Sequence, residues 1–272
     1  MDQPETPGNS PQPANPAPPT AFYRRVLETL MEARVPHLVG GAYALAYHTH
    51  TRYSTKDFDL FLRRQHLEAA FTALDAAGYR TELTFPHFLG KVFDERPFVD
   101  LIFGSGNGVS PVDDDWFQYA SDGELFGLPV KVCSAEDVAW SKAFIMERER
   151  FDGGDIAHLL LATSERLNWP RLLTRFDAHW RVLLAHLILF GFIYPGKRAL
   201  IPASVLEELL GRLRDEADPG SRGNICRGGL LSRRQYLFDV SELGMTDARL
   251  KSAGGNMSQE EVDRWTAASE GE

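Results

Sequence analysis

Apolar residues recur at helical spacing between Ala21 and Arg34, at Phe22, Val26, Leu27, Leu30 and Met31, which predicts an amphipathic helix. A short strand is expected at His37 to Val39, after which Gly40 and Gly41 turn the chain into a helix starting near Ala42. Phe58 to Leu62 follows as a strand, Gln65 to Ala77 as a helix ended by Gly78, and Tyr79 to Thr84 as a further strand. Gly90 to Asp94 and Pro97 to Phe103 are two β-like runs around a tight polar turn, the pattern of a hairpin, closed by a loop at Gly104 to Gly108. Val130 to Cys133 is the last predicted strand, and Ser134 with Asp137 three residues on is a helix cap with an acidic partner. From there the pattern is helical, over Ala135 to Arg148, Asp155 to Thr163, Pro170 to Phe176, His179 to Phe192 and Ala203 to Arg214. Asp215 to Gly229, rich in Gly, Asp and Arg, is expected to be a loop, and the last twenty or so residues to fray.

This order predicts an α+β fold, a mixed β-sheet core with flanking helices over residues 20–133, followed by a helical region at 134–214 that packs on it. Residues 215–272 are expected to be loop-rich and partly disordered, and residues 1–19 to be a disordered tail. That tail is rich in Pro, Asn and Gln and has no Lys or Arg, so it lacks the basic and apolar regions of a signal peptide. The longest apolar run, Val182 to Tyr194, is shorter than a bilayer span and contains His186, which favours a core helix. No membrane association is expected, and the expected location is the cytoplasm.

Composition narrows function only a little, since 43% hydrophobic and 25% charged residues over 272 positions are those of an ordinary globular protein. The formal net charge of −9 excludes a generic nucleic-acid binder held by phosphate contacts, though not a local basic groove. Cys133 and Cys226 are far apart and belong to no short metal-ligand spacing, so no zinc-type site is expected.

The chemistry is concentrated in acids on strands. Asp57 and Asp59 are two residues apart, so on a strand their carboxylates leave the same face. Their repulsion is relieved by a shared proton or by a divalent cation, the second being the arrangement used in phosphoryl and nucleotidyl transfer. Asp100 lies in Phe98-Val99-Asp100-Leu101-Ile102-Phe103, where an isolated carboxylate is costly unless something compensates it. A cation shared by the three acids would do so, and an oxygen-rich ligand set suits Mg²⁺. Each piece alone has a plainer account, since an Asp-x-Asp is usually a solvated strand end and a Gly-Gly pair a turn. Their order along one chain carries the weight.

Gly40-Gly41, Asp57-Phe58-Asp59 and Asp100 resemble the signature of the nucleotidyltransferase superfamily that includes DNA polymerase β. The surrounding His48, Arg52, Thr55 and Lys56 resemble its bacterial AbiEii-like and minimal-nucleotidyltransferase branches, over about Val35 to Ala162. The resemblance implies that Gly40 and Gly41 hold the triphosphate of an NTP and that Asp57 and Asp59 bind a pair of Mg²⁺ ions. It further implies that Asp100 binds the catalytic metal and deprotonates an acceptor hydroxyl. Where some families place a serine after the first glycine, this chain has Gly41, which leaves phosphate contacts to backbone N–H groups at the helix N-terminus. His48 is followed by Thr49 and His50 rather than by the small residue usual in the family.

Lys142 lies on a helix that in related proteins sends a lysine to the nucleotide phosphates, the alternative being a snorkelling surface lysine. Arg52 and Lys56 are candidates for phosphate contact or for pairing with Asp59. Asp152 and Asp155 look like a family feature but are equally helix N-caps, the reading favoured here. His48 and His50 are assigned to local packing, and Arg222, Arg227, Arg233 and Arg234 to a flexible solvated segment rather than to an acidic acceptor. Trp169, Trp180, Phe190, Phe192 and Tyr194 could wall a pocket, but aromatics at helical spacing more often form core. Two functions follow. One is a Mg²⁺-dependent transferase moving an NMP from an NTP to a hydroxyl of a small molecule, tRNA or protein. The other is a non-catalytic relative that binds a nucleotide or a protein partner, as in a toxin–antitoxin pair.

Overall fold

The structure is a computed structural model that describes residues 19–51, 57–95, 97–215 and 224–268. Arg52, Lys56, Arg222 and the Pro-rich tail up to residue 18 lie outside the described residues. Helix α1 (Thr20–Glu32) buries Phe22, Val26, Leu27 and Leu30 of the predicted stripe together with Tyr23, while Met31, also in that stripe, is exposed. Strand β1 (Leu38–Val39) leads through Gly40 into α2 (Gly41–Thr49), and β2 (Asp59–Phe61) returns antiparallel to β1. After α3 (Leu67–Ala76), strands β3 (Arg80–Phe85), β4 (Leu89–Phe93) and β5 (Phe98–Ile102) form an antiparallel meander. β5 then lies parallel to β2.

The short α4 (Asp114–Gln118) and β6 (Ser121–Leu125) were not foreseen, because Ser-Asp-Gly-Glu has no apolar alternation. β6 is held by its hairpin with β7 (Leu128–Val132), through Phe126 and Gly127 at positive φ of 53° and 75°. The seven strands make one mixed sheet in the order β3-β4-β5-β2-β1-β7-β6. Val99 and Leu101 are buried in the main core, and their cross-strand neighbours Val92 and Gly90 lie on the face against α3, where a Cβ on Gly90 would meet Phe71 and Leu67. The alternate residues Phe98, Asp100 and Ile102 are only half-buried on the other face.

The second half is helical as expected: α5 (Ala135–Lys142), α6 (Gly153–Thr163), α7 (Trp169–Phe176), α8 (Trp180–Ile193) and α9 (Ala203–Asp215). Helix α5 starts at the predicted cap, where Ser134 accepts from the Asp137 amide at 3.2 Å. It stops at Lys142 instead of continuing to Arg148, because the chain doubles back and Asp152 N donates to Ile145 O at 3.1 Å. The 25-residue stretch Trp169–Ile193 is long and apolar enough by length and composition to cross a membrane. Within it Leu183, Leu184, Leu187 and Phe190 are core residues, as are Trp169 and Trp180, while Phe192 is 83% exposed.

The C-terminal segment departs from expectation. Residues 224–268 form a two-stranded parallel pair, β8 (Ile225–Cys226) with β9 (Thr246–Asp247), and helices α10 (Leu237–Ser241) and α11 (Gln259–Ala267). α11 does not fray. It opens on a capping box of Ser258 and Glu261, and Trp265 packs edge-on against Phe85 and Phe88 at 5.2 and 5.1 Å. Arg234 donates to the Ala268 carbonyl at 2.9 Å and Arg233 pairs with Glu147, so these arginines fasten the segment instead of waving in solvent.

Candidate active site

Asp59 and Asp100 are brought together by strand register. In the parallel pairing of β2 with β5, Asp59 lies directly beside Asp100, and Asp100 N donates to Phe58 O at 2.9 Å. Adjacent strands are about 4.8 Å apart, so the carboxylates share one small region of the open face. Asp57 is exposed at the entry to β2. Among the described residues no three His, Cys, Asp or Glu side chains gather closely enough to form a ready-made metal cage. The acids thus stand as an in-register pair with Asp57 at its rim.

The electrostatics show the strain of that pair. Burial, followed by Asp57, raises Asp59 to about 6. Burial, followed by Asp59, raises Asp100 to about 7, with Lys91 pulling the other way. Tyr23 beneath the site is pushed up to about 12, first by burial and then by Tyr43 and the three acids. One oxygen of Asp100, Oδ1, is buried without a hydrogen-bond partner. A carboxylate oxygen without a donor, between like charges, fits a divalent cation.

Gly40 and Gly41 differ in what they supply. The Gly40 amide donates to the Asp59 carbonyl at 3.0 Å, so it ties helix to strand. A Cβ there would also strike the Phe61 ring at 2.2 Å. Gly41 has φ +52°, and a Cβ on it would lie 1.6 Å from Asp59 Oδ2, so the start of α2 approaches the carboxylate as closely as only glycine allows. Ala44 is the first residue of α2 whose amide bonds back, to Gly40 O at 3.0 Å. The helix has no internal acceptor for the amides of Gly41, Ala42 and Tyr43 at its first turn.

Lys142 is placed near this site but is tied down. It is 9% exposed, and its Nζ donates to Asp152 Oδ2 at 2.8 Å and Asp155 Oδ2 at 2.7 Å. Burial opposes its charge, but Asp152 and Asp155 outweigh it and raise its pKa. Asp152 stands at the N-cap position of α6 yet makes no side-chain cap bond, so the capping role favoured from sequence is not made. Its two oxygens accept from Lys142 and, bidentately, from Arg150 at 2.9 Å each. Lys142 and Arg150 are the cations that oppose the rise of Asp59. Arg150 escaped the sequence reading because it lies between the expected helices Ala135 to Arg148 and Asp155 to Thr163, where no local pattern singles it out. His48 donates from Nε2 to the Cys133 carbonyl at 2.7 Å, a packing role.

The solution structure of the antibiotic-resistance factor ANT(2'')-Ia is similar to this chain, with TM-score 0.44 and 16% identity over 61% of this chain and 95% of that one. The lincomycin-bound lincosamide antibiotic adenylyltransferase LnuA is similar with TM-score 0.39 and 15% identity, over 54% and 99%. JHP933 from Helicobacter pylori is similar with TM-score 0.34 and 14% identity, over 70% and 85%. No protein-family model and no curated protein matches the chain.

Proposed function

We propose that the protein is a Mg²⁺-dependent nucleotidyltransferase that moves an NMP from an NTP to a hydroxyl acceptor and releases pyrophosphate. The observation that carries this reading is the in-register Asp59/Asp100 pair against the glycine start of α2, with an unsatisfied Asp100 oxygen. Asp57, Asp59 and Asp100 would hold the metal, which when bound would supply a counter-charge for the phosphates. In the reaction the acceptor oxygen bonds to the α-phosphorus, the bond from that phosphorus to the bridging oxygen breaks, and pyrophosphate leaves with the electron pair.

The chain's own residues handle the proton and the phosphates. Asp100, beside Asp59 on the open face of the sheet, is the group placed to take the acceptor hydroxyl proton. The amides of Gly41, Ala42 and Tyr43 orient the phosphates. Arg150, 64% exposed, can turn towards a phosphate while Lys142 keeps Asp152 in place. A cytoplasmic location belongs to the same reading.

The test is transfer of label from α-labelled NTPs with Mg²⁺, together with calorimetric titration of a non-hydrolysable NTP with and without the cation. Cation-dependent binding that disappears in Asp59→Asn supports the reading. Activity surviving in the Asp57→Asn plus Asp59→Asn double variant overturns it, as does nucleotide binding that is tight and indifferent to divalent ions.

A further inference from the structure

One side chain on the open face of the sheet has no role in that scheme. Lys91 on β4 lies directly opposite Asp100 on β5, and opposite Glu82 on β3. Asp59, Asp100, Lys91 and Glu82 therefore form a straight row across β2, β5, β4 and β3, on one face, about 4.8 Å apart from strand to strand. Lys91 is only 7% exposed. Its ammonium sits 4.4 Å over the Phe98 ring, and among the described residues no hydrogen bond or ion pair is found for it. A cation–π contact offsets only part of the cost of burying an ammonium.

The plain alternative is that Lys91 serves as counter-ion to Asp100. A counter-ion directly across the ladder would close the pair, yet the two are not within the 4.0 Å of an ion pair, and Asp100 Oδ1 has no donor. Neighbouring opposite charges that do not pair are held for other groups. For Asp100 that group is a cation; for Lys91 it is an anion.

Lys91 also opens into a cavity of about 570 Å³, of the size that holds a small molecule. Its floor is the open face of β3 to β5, including Phe93 and Phe98, and its roof is α11, which contributes Arg264. Arg264 is fixed by donating to the Thr84 carbonyl at 2.6 Å. Phe98 precedes Asp100 by two residues on the same face, so the cavity ends where the catalytic acid begins. Lys91 and Arg264 share the lining with one acid, Glu82, whose carboxylate is paired with Arg80 at 2.8 Å, so the cavity is locally cationic in a chain of net charge −9.

We propose that this cavity is the acceptor subsite and that it takes a hydroxyl compound bearing a carboxylate or phosphate, which Lys91 holds so that the hydroxyl reaches Asp100. The proposal rests on the transferase reading above. Aromatic side chains take the apolar body of the acceptor, Lys91 takes its anionic group, and Arg264 adds charge at the roof.

The probes are 3-hydroxybenzoate against its methyl ester, and phenyl phosphate against phenol, titrated calorimetrically into the full chain without divalent ions. The anionic member of each pair should bind at least tenfold tighter, with the carboxylate and phosphate arms showing which anion is preferred. Lys91→Met should erase the difference and Lys91→Arg restore it, with thermal unfolding confirming that both variants fold. Equal binding of charged and neutral probes, no binding of either anion, or an unchanged preference in Lys91→Met overturns the proposal. Mg²⁺-dependent nucleotide binding of the wild-type chain is measured in parallel. Its absence in wild type would instead defeat the transferase reading, so the two failures are distinguishable.

Discussion

Replacing Asp100 by Asn is predicted to stabilise the cation-free protein at alkaline pH while abolishing transfer. Burial, and then Asp59, raise this carboxyl from 3.8 to about 7. The folded chain therefore keeps a proton over a range in which the unfolded chain has released it. Stability falls with rising pH wherever the folded state binds more protons, so the cost is absent below about pH 4 and complete above about pH 7. At about 1.4 kcal/mol per pH unit the rise corresponds to at most about 4 kcal/mol. Asp100 is half-buried, and solvent screening brings the expected gain to about 2 kcal/mol. For a chain of this size that is a rise in Tm of about 4–8 °C. Scanning calorimetry in EDTA at pH 4, 6 and 8 provides the check: the variant and wild type should nearly coincide at pH 4 and separate progressively. Mg²⁺ at pH 8 should narrow the gap by stabilising wild type alone. A variant less stable at pH 8, or a gap that does not change with pH, would refute the picture of Asp100 as a carboxylate strained by its neighbours.

Other expectations follow from single contacts. Gly41→Ala forces a Cβ into the Asp59 carboxylate at a backbone angle of φ +52°. It should cost about 1–3 kcal/mol and abolish Mg²⁺-dependent nucleotide binding, measured by denaturation and calorimetry. Lys142→Met leaves Asp152 and Asp155 facing each other with less counter-charge and should destabilise by about 3–5 kcal/mol at pH 7. Against burial, Arg150 and Lys142 hold Asp152 below the usual carboxylate range. Its contribution is therefore present above about pH 4 and lost as pH falls through its lowered pKa, so urea titrations should show the variant's penalty shrinking in acid. Trp265→Ala should cost about 2–4 kcal/mol by thermal unfolding, because it removes the ring that seats α11 on Phe85 and Phe88. A cost under about 0.5 kcal/mol would mean the helix is held by its cap and by Arg234 alone.

What the residues determined by themselves was local. The apolar stripe of α1, the cap at Ser134 and the alternation that leaves Asp100 on the opposite face from Val99 and Leu101 each depend on neighbours a few positions away. They are legible for that reason, and so was the pairing of a glycine turn with strand-borne acids. The structure decided everything that depends on register between distant strands. Asp59 faces Asp100, and Asp100 faces Lys91, only because β2, β5 and β4 pair with no slip, and one residue of slip would turn each of them to the other face. The fate of Lys142 depended on a chain reversal that brought Asp152 and Asp155 to it. The C-terminal helix carries a local start signal in its Ser258/Glu261 capping box, but its seat on the sheet depends on a tryptophan whose aromatic partners lie far upstream in the chain. Short-range spacing chooses elements and faces. Long-range packing chooses which charges meet, and in this protein that choice makes the candidate site.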